Sequence, residues 1–178
     1  GRWERKRFAG VELADKVLGI VGFGRIGQLV ATRARAFGMR VVVFDPFVSA
    51  ERCRELQVSS ATLENLLLQA DFVTLHAPLT AETRHLMGAA EFKRMKPSAY
   101  LINTARGGVV DQVALREALA GGEIAGAGLD VTEPEPLPPD DPLLSAPNLL
   151  VVPHVGSATI RTRSRMADMA VDNLLAAL

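Results

Sequence analysis

Apolar positions along the chain gather into short unbroken runs at residues 17–21, 40–44, 72–75, 99–102, 124–129 and 149–152. Runs without polar alternation suit strands buried on both faces, as in a parallel sheet covered by helices. Between the runs, helical patterns occupy residues 25–37, 62–69, 90–95 and 112–120, and residues 159–178 read as a long closing helix. Asp111 is a natural N-cap for the helix after it, and Gly121-Gly122 a natural stop. Strands alternating with helices, joined by right-handed crossovers, predict an α/β doubly wound parallel sheet. The proline-rich stretch Glu133-Pro-Glu-Pro-Leu-Pro-Pro-Asp can be neither helix nor central strand, so a loop is expected there. With no internal repeat and no dividing linker, residues 1–178 are expected to form one domain.

Composition narrows the class. The 178 residues carry 20 Lys+Arg against 20 Asp+Glu, and the zero net charge gives no reason to expect nucleic acid or an anionic membrane as partner. Hydrophobic residues make up 48% and charged residues 22%, a balance that belongs to globular chains. No apolar run has the length of a membrane span, and the basic opening lacks the apolar core of a signal peptide. Cys53 is the only cysteine, so an internal disulfide is impossible and no metal site is expected. A soluble, cytoplasmic protein is the expectation, and a start at Gly1 reads as a piece excised from something longer.

Gly22-Phe-Gly-Arg-Ile-Gly27 follows the first predicted strand and opens a helix. Such a loop needs Gly22 for the tight turn, Gly24 for close approach of backbone to a pyrophosphate, and Gly27 for helix–strand packing. The helix N-terminus then offers unpaired N–H groups to the phosphates, with Arg25 and Ile26 in the same loop. Asp45 ends the second strand 18 residues beyond Gly27. A carboxylate there can accept from both adenosine ribose hydroxyls and would repel a 2′-phosphate, which favours NAD over NADP. The unit predicts a Rossmann-type dinucleotide-binding fold.

Further motifs come in a fixed order: His76-Ala-Pro-Leu-Thr80, Asn103-Thr-Ala-Arg-Gly-Gly108, Gly128-Leu-Asp-Val131 with Glu135-Pro136, and Pro153-His-Val-Gly-Ser-Ala158. With the glycine loop, this series resembles the cofactor domain of the D-isomer-specific 2-hydroxyacid dehydrogenases. The opening Gly1-Arg-Trp-Glu-Arg-Lys-Arg-Phe-Ala-Gly10 leans toward the phosphoglycerate dehydrogenases. The closing motifs lean toward the glyoxylate/hydroxypyruvate reductases. In this family the cofactor domain is inserted into a substrate domain formed by the two chain ends, neither of which is expected here. The resemblance also implies a homodimer joined through this domain, with an arm carrying Trp3 and Phe8 crossing to the neighbour.

Exchange of a hydride between a 2-hydroxy acid and nicotinamide needs a cation for the carboxylate, a group that trades the hydroxyl proton, and a partner that orients that group. Arg106 can supply a bidentate guanidinium, His154 an imidazole that titrates in the working range, and Glu135 a carboxylate for the other ring nitrogen. The family's Arg, Glu and His fall on these three residues. Glu135 is preferred to Glu133 because the family places its glutamate five residues after the Asp of Leu-Asp-Val, here Asp130. Spacing alone leaves plainer roles open: a solvated loop charge for Arg106, a packed histidine at 154, a solubilising acid at 135. The resemblance further places His76, Ala77, Pro78 and Thr83 near the adenosine half and Thr104 and Ala105 before Arg106. It puts Asp130 at the nicotinamide carboxamide, with Gly156 and Ser157 behind His154. His76 and Thr83 could equally be loop-capping residues, while His85 and Cys53 read as incidental and Arg161, Arg163 and Arg165 as a solvated helix face.

The implied function is hydride transfer between NAD(H) and a 2-hydroxy or 2-oxo acid of the glyoxylate, hydroxypyruvate or 3-phosphoglycerate class. Formate dehydrogenase resembles the family but pairs its histidine with glutamine, against Glu135 here. The alternative from another class is an NAD(H)-sensing corepressor-like binding module, which can keep all three residues; turnover of 2-oxoacids separates the two.

Overall fold

The computed structural model of the chain describes residues 1, 3, 4 and 10–177. Among these, seven strands form one sheet in the order β3-β2-β1-β4-β5-β6-β7, with every pairing parallel. In chain order the elements are β1 (Val17–Val21), α1 (Arg25–Ala36), β2 (Arg40–Phe44), α2 (Ala50–Glu55), β3 (Ser59–Ser60), α3 (Leu63–Gln69) and β4 (Phe72–Leu75). They continue with α4 (Ala89–Arg94), β5 (Tyr100–Asn103), α5 (Gln112–Gly121), β6 (Gly126–Leu129), β7 (Leu149–Val151) and α6 (Ile160–Ala177). Short 3₁₀ turns lie at Gly107–Val109 and Pro142–Ser145. This is the expected α/β doubly wound, Rossmann-type sheet, and its first three long strands begin and end where the apolar runs do. Phe8, assigned above to a dimer arm, lies outside the described residues.

All five residues of β1 are buried, and their alternation divides the interior in two. Val17 and Val21 join Val42, Leu66, Leu67, Phe92, Leu115 and Leu119 in one cluster, under α3, α4 and α5. Leu18 and Ile20 join Val41, Val43, Ala31, Ala34 and Cys53 in the other, under α1 and α2. Each fully buried aliphatic or aromatic side chain is worth about 1.5–3 kcal/mol, so these two layers carry the fold. Asp111 caps α5 as expected, accepting from the N–H groups of Val113 and Ala114 at 3.0 and 3.1 Å, and Gly122 ends it at φ 69°.

One expectation changes, and one element stands exposed. The run at 149–152 is not buried on both faces: in β7, at the edge of the sheet, Leu150 is 65% exposed. The closing helix α6 forms, but none of its described residues is buried. No helix among the described residues is long and apolar enough to cross a membrane.

Candidate active site

The glycine loop sits where β1 turns into α1. Gly22 has φ +90°, and a Cβ there would lie 2.6 Å from the Ala77 nitrogen, so glycine lets the loop rest on the end of β4. Gly24 is different: its φ is −71°, and a Cβ added to it would meet nothing within 4 Å. The space in front of the α1 N-terminus is therefore open to an anionic ligand. Asp45 closes the loop from β2, one carboxylate oxygen accepting from Phe23 N at 2.7 Å and the other from Phe47 N at 2.9 Å. Each oxygen retains a lone pair for a further donor.

These residues open on a cleft of about 690 Å³ between the ends of β1, β2 and β4. Gly22, Gly24, Asp45, His76, Ala77, Pro78 and Thr83 all line it, as assigned from the sequence. Arg25 and Ile26 are exposed in the first turn of α1. Burial holds the His76 imidazole below its ordinary pKa, and its Nε2 lies 3.1 Å from the Thr74 hydroxyl. The Thr83 hydroxyl accepts from Thr80 N at 2.8 Å and donates to Pro78 O at 2.5 Å, so it also caps its own loop.

Parallel register brings the chemistry-bearing residues to one edge. Asn103 pairs with Leu129, and Leu129 with Val151, so Arg106, Asp130 and His154 all follow the carboxyl ends of adjacent strands. That is where an open α/β sheet receives its ligand. Fully buried Asn103 braces the turn after β5, accepting from Ala105 N at 3.0 Å and donating to Arg106 O at 2.9 Å. Thr104 and the Arg106 side chain are exposed on this turn, and Arg106 Nη1 donates to Ala105 O at 2.6 Å. Sequence reasoning gave Asn103 no role, although an Asn closing a strand before a turn is a recognisable signal.

His154 Nδ1 lies 2.6 Å from Glu135 Oε1, and both side chains are nearly half exposed. The ring is presented by a backbone at φ +51°, a region costly for a residue other than glycine. Asp130 supports that turn: its carboxylate accepts from Val155 N at 2.6 Å and Gly156 N at 3.0 Å. The Asp130 oxygens thus already hold the backbone behind His154, a task its assignment to a carboxamide did not foresee. Half-buried Ser157 continues the same turn, and Asp130, Glu135 and His154 share a hollow of about 490 Å³.

Glu133, the other glutamate of the loop, faces elsewhere. Its carboxylate takes a forked pair of bonds from Arg84 at 3.1 and 2.9 Å, and its backbone is held by the Gln112 side chain at 2.7 and 2.8 Å. The geometry therefore gives His154 to Glu135 and not to Glu133. Neither Arg84 nor Gln112 drew notice in the sequence, since nothing local in either segment points to the loop.

The family model for the D-isomer specific 2-hydroxyacid dehydrogenase, NAD binding domain, matches residues 1–156. The chain is 52% identical over 174 residues to a glyoxylate reductase of Korarchaeum cryptofilum, covering 98% of this chain and 52% of that protein. It is 45% identical over 175 residues to a D-3-phosphoglycerate dehydrogenase of Archaeoglobus fulgidus, covering 98% of this chain and 33% of that protein. The NAD-complexed D-isomer specific 2-hydroxyacid dehydrogenase of Lactobacillus delbrueckii ssp. bulgaricus superposes with a TM-score of 0.86 at 34% identity, over 98% of this chain and 56% of that one. The chain thus spans about half the length of the first relative and a third of the second. From the glycine loop to the His154 turn, its motifs and their placement are those of one family, and the chain belongs to the D-isomer-specific 2-hydroxyacid dehydrogenases, in the domain that binds a nicotinamide dinucleotide.

Proposed function

We propose that this chain is the cofactor domain of an NAD-dependent dehydrogenase acting on a small 2-hydroxy or 2-oxo acid of the glyoxylate, hydroxypyruvate or 3-phosphoglycerate class. The observation that carries the reading is the 2.6 Å contact between His154 Nδ1 and Glu135 Oε1 beside the Arg106 turn. The bound cofactor supplies or takes the hydride. In the reducing direction Nε2 of His154 gives a proton to the carbonyl oxygen, while Glu135 holds Nδ1–H and fixes the ring. Arg106, exposed and forked, holds the substrate carboxylate and polarises the carbonyl. The residues that hold the cofactor are those of the 690 Å³ cleft, a volume within the usual range for such sites. Asp45, already fixed by two N–H donors at the end of β2, is the residue assigned to accept from the adenosine ribose, and its carboxylate supports NAD over NADP.

Residues 1–178 form one domain in this proposal, with the substrate lobe supplied by the rest of a longer protein, as the relatives' lengths support. The protein works in the cytoplasm as a homodimer joined through this domain, with exposed Trp3 on the arm that crosses. The deciding experiment is a panel of 2-oxoacids offered with NADH to the full-length protein. Turnover of glyoxylate, hydroxypyruvate or phosphohydroxypyruvate is expected; cofactor binding with none of the three turned over would overturn the proposal.

A further inference from the structure

We infer that Arg84 is a positioning residue for proton transfer: through Glu133, and together with Gln112, it clamps the 132–136 turn so that Glu135 meets His154. The inference rests on the role proposed for the Glu135–His154 couple. Glu135 sits in a loop with no regular secondary structure, two residues beyond Glu133. Pro134 and Pro136 stiffen this segment, but where it lies against the sheet has to be set from outside it.

Two distant elements set it. Arg84, 49 residues away in the loop after β4, grips both Glu133 oxygens in a planar fork at 3.1 and 2.9 Å. Gln112, 21 residues away at the start of α5, donates Nε2–H to Glu133 O at 2.7 Å and accepts from Glu133 N at 2.8 Å. Side chain and backbone of one residue are thus held at once. The Thr132 hydroxyl adds a bond to Pro134 O at 2.8 Å. From beneath, Gly107 lets the turn come down: a Cβ there would lie 2.1 Å from the Thr132 carbonyl carbon. The segment after Arg106 and the segment before Glu135 therefore touch, at Gly107 and Thr132. The Arg84 and Glu133 side chains are 50% and 40% exposed, so their pair adds little to stability, while its bidentate geometry fixes an orientation. Arg84 also adjoins Thr83 of the nucleotide cleft, so the clamp ties the wall of that cleft to the turn that bears Glu135.

The test is the pH profile of kcat/KM for glyoxylate reduction with NADH, in the full-length enzyme. The charged side chains bonded to the His154 turn are Glu135, at Nδ1, and Asp130, at the Val155 and Gly156 nitrogens; Arg106 follows the neighbouring β5, and Arg84 holds Glu133. Arg84→Met and Glu133→Gln should each move the alkaline limb toward acid by about half a pH unit, a fraction of the shift in Glu135→Gln. Arg84→Lys should restore part of the difference, and the double variant should shift no further than either single one. A uniform fall in rate with the limb unmoved in both Arg84→Met and Glu133→Gln, while Glu135→Gln moves it, overturns the clamp alone. An unmoved limb in Glu135→Gln as well overturns the proton-transfer assignment, and the clamp with it.

Discussion

Replacing Gly24 with alanine should separate folding from cofactor binding. Gly24 caps α1 at φ −71°, which any residue adopts, and its added methyl would meet no protein atom within 4 Å. Loss of the better N-cap and the stiffer unfolded chain roughly cancel, so stability should change by less than about 1 kcal/mol. The same methyl points into the open space before the helix N-terminus, where a pyrophosphate must approach the backbone N–H groups. Pushing the phosphates away should cost one or two charge-assisted hydrogen bonds, about 2–4 kcal/mol in all. That is a loss of roughly 30- to 700-fold in affinity. Gly22→Ala supplies the opposite control. At φ +90°, and with its Cβ 2.6 Å from Ala77 N, it should lose about 2–5 kcal/mol of stability through backbone strain and collision. Urea unfolding and calorimetric titration of NADH on both variants measure the two quantities. Gly24→Ala that binds NADH within threefold of the parent, or is destabilised as much as Gly22→Ala, would refute the argument.

Three other outcomes are expected. NAD(H) should bind more tightly than NADP(H), and Asp45→Ser should narrow the gap; equal affinities in the parent would defeat the reading. Asp71 stands just before β4: burial alone would raise its pKa, but bonds from Lys96 Nζ and Val17 N, each at 2.8 Å, with the charges of Lys96 and Lys16, hold it below the ordinary carboxylate value. A depressed folded pKa stabilises above the unfolded value of about 3.9 and is lost as pH falls through the folded value, so Asp71→Asn should cost about 1–2 kcal/mol at neutral pH and progressively less below pH 4. A gap that stays constant from pH 7 to pH 3 contradicts that account. Finally, this chain alone should bind NADH yet reduce glyoxylate at least about a thousandfold more slowly than the full-length protein, since positioning and water exclusion need the opposite wall of the cleft. Similar rates would show that wall to be dispensable.

What could be read from the sequence was whatever the chemistry makes local. Val17–Val21, Arg40–Phe44 and Phe72–Leu75 were legible because a strand buried on both faces is apolar at nearly every buried position. The helix Ala50–Glu55 was missed: Cys53 is its one buried residue, so it carries no apolar stripe. The strand Ser59–Ser60 has two exposed polar residues and no pattern at all. In the site, the glycine loop and Asp45 announced themselves, because turn, close approach and ribose contact all fall within one strand–helix–strand unit. The partner of His154 could be chosen between two glutamates only by resemblance. What distinguishes them physically is that Arg84 and Gln112 occupy Glu133, and those contacts exist only after the sheet has formed.

Strand order has a consequence for how such a domain can be recombined. Every residue lining the nucleotide cleft precedes residue 87, whereas Arg106, Glu135 and His154 all follow residue 102. A gene crossover within α4 would therefore exchange nucleotide preference as a block and leave the reacting groups untouched. Arg84 and Glu133 form one of the side-chain pairs that cross that boundary, joined at 2.9 Å. A chimaera that mismatches this pair inherits one parent's nucleotide cleft and the other's carboxylate without the strut between them, so these two positions should be taken from the same parent.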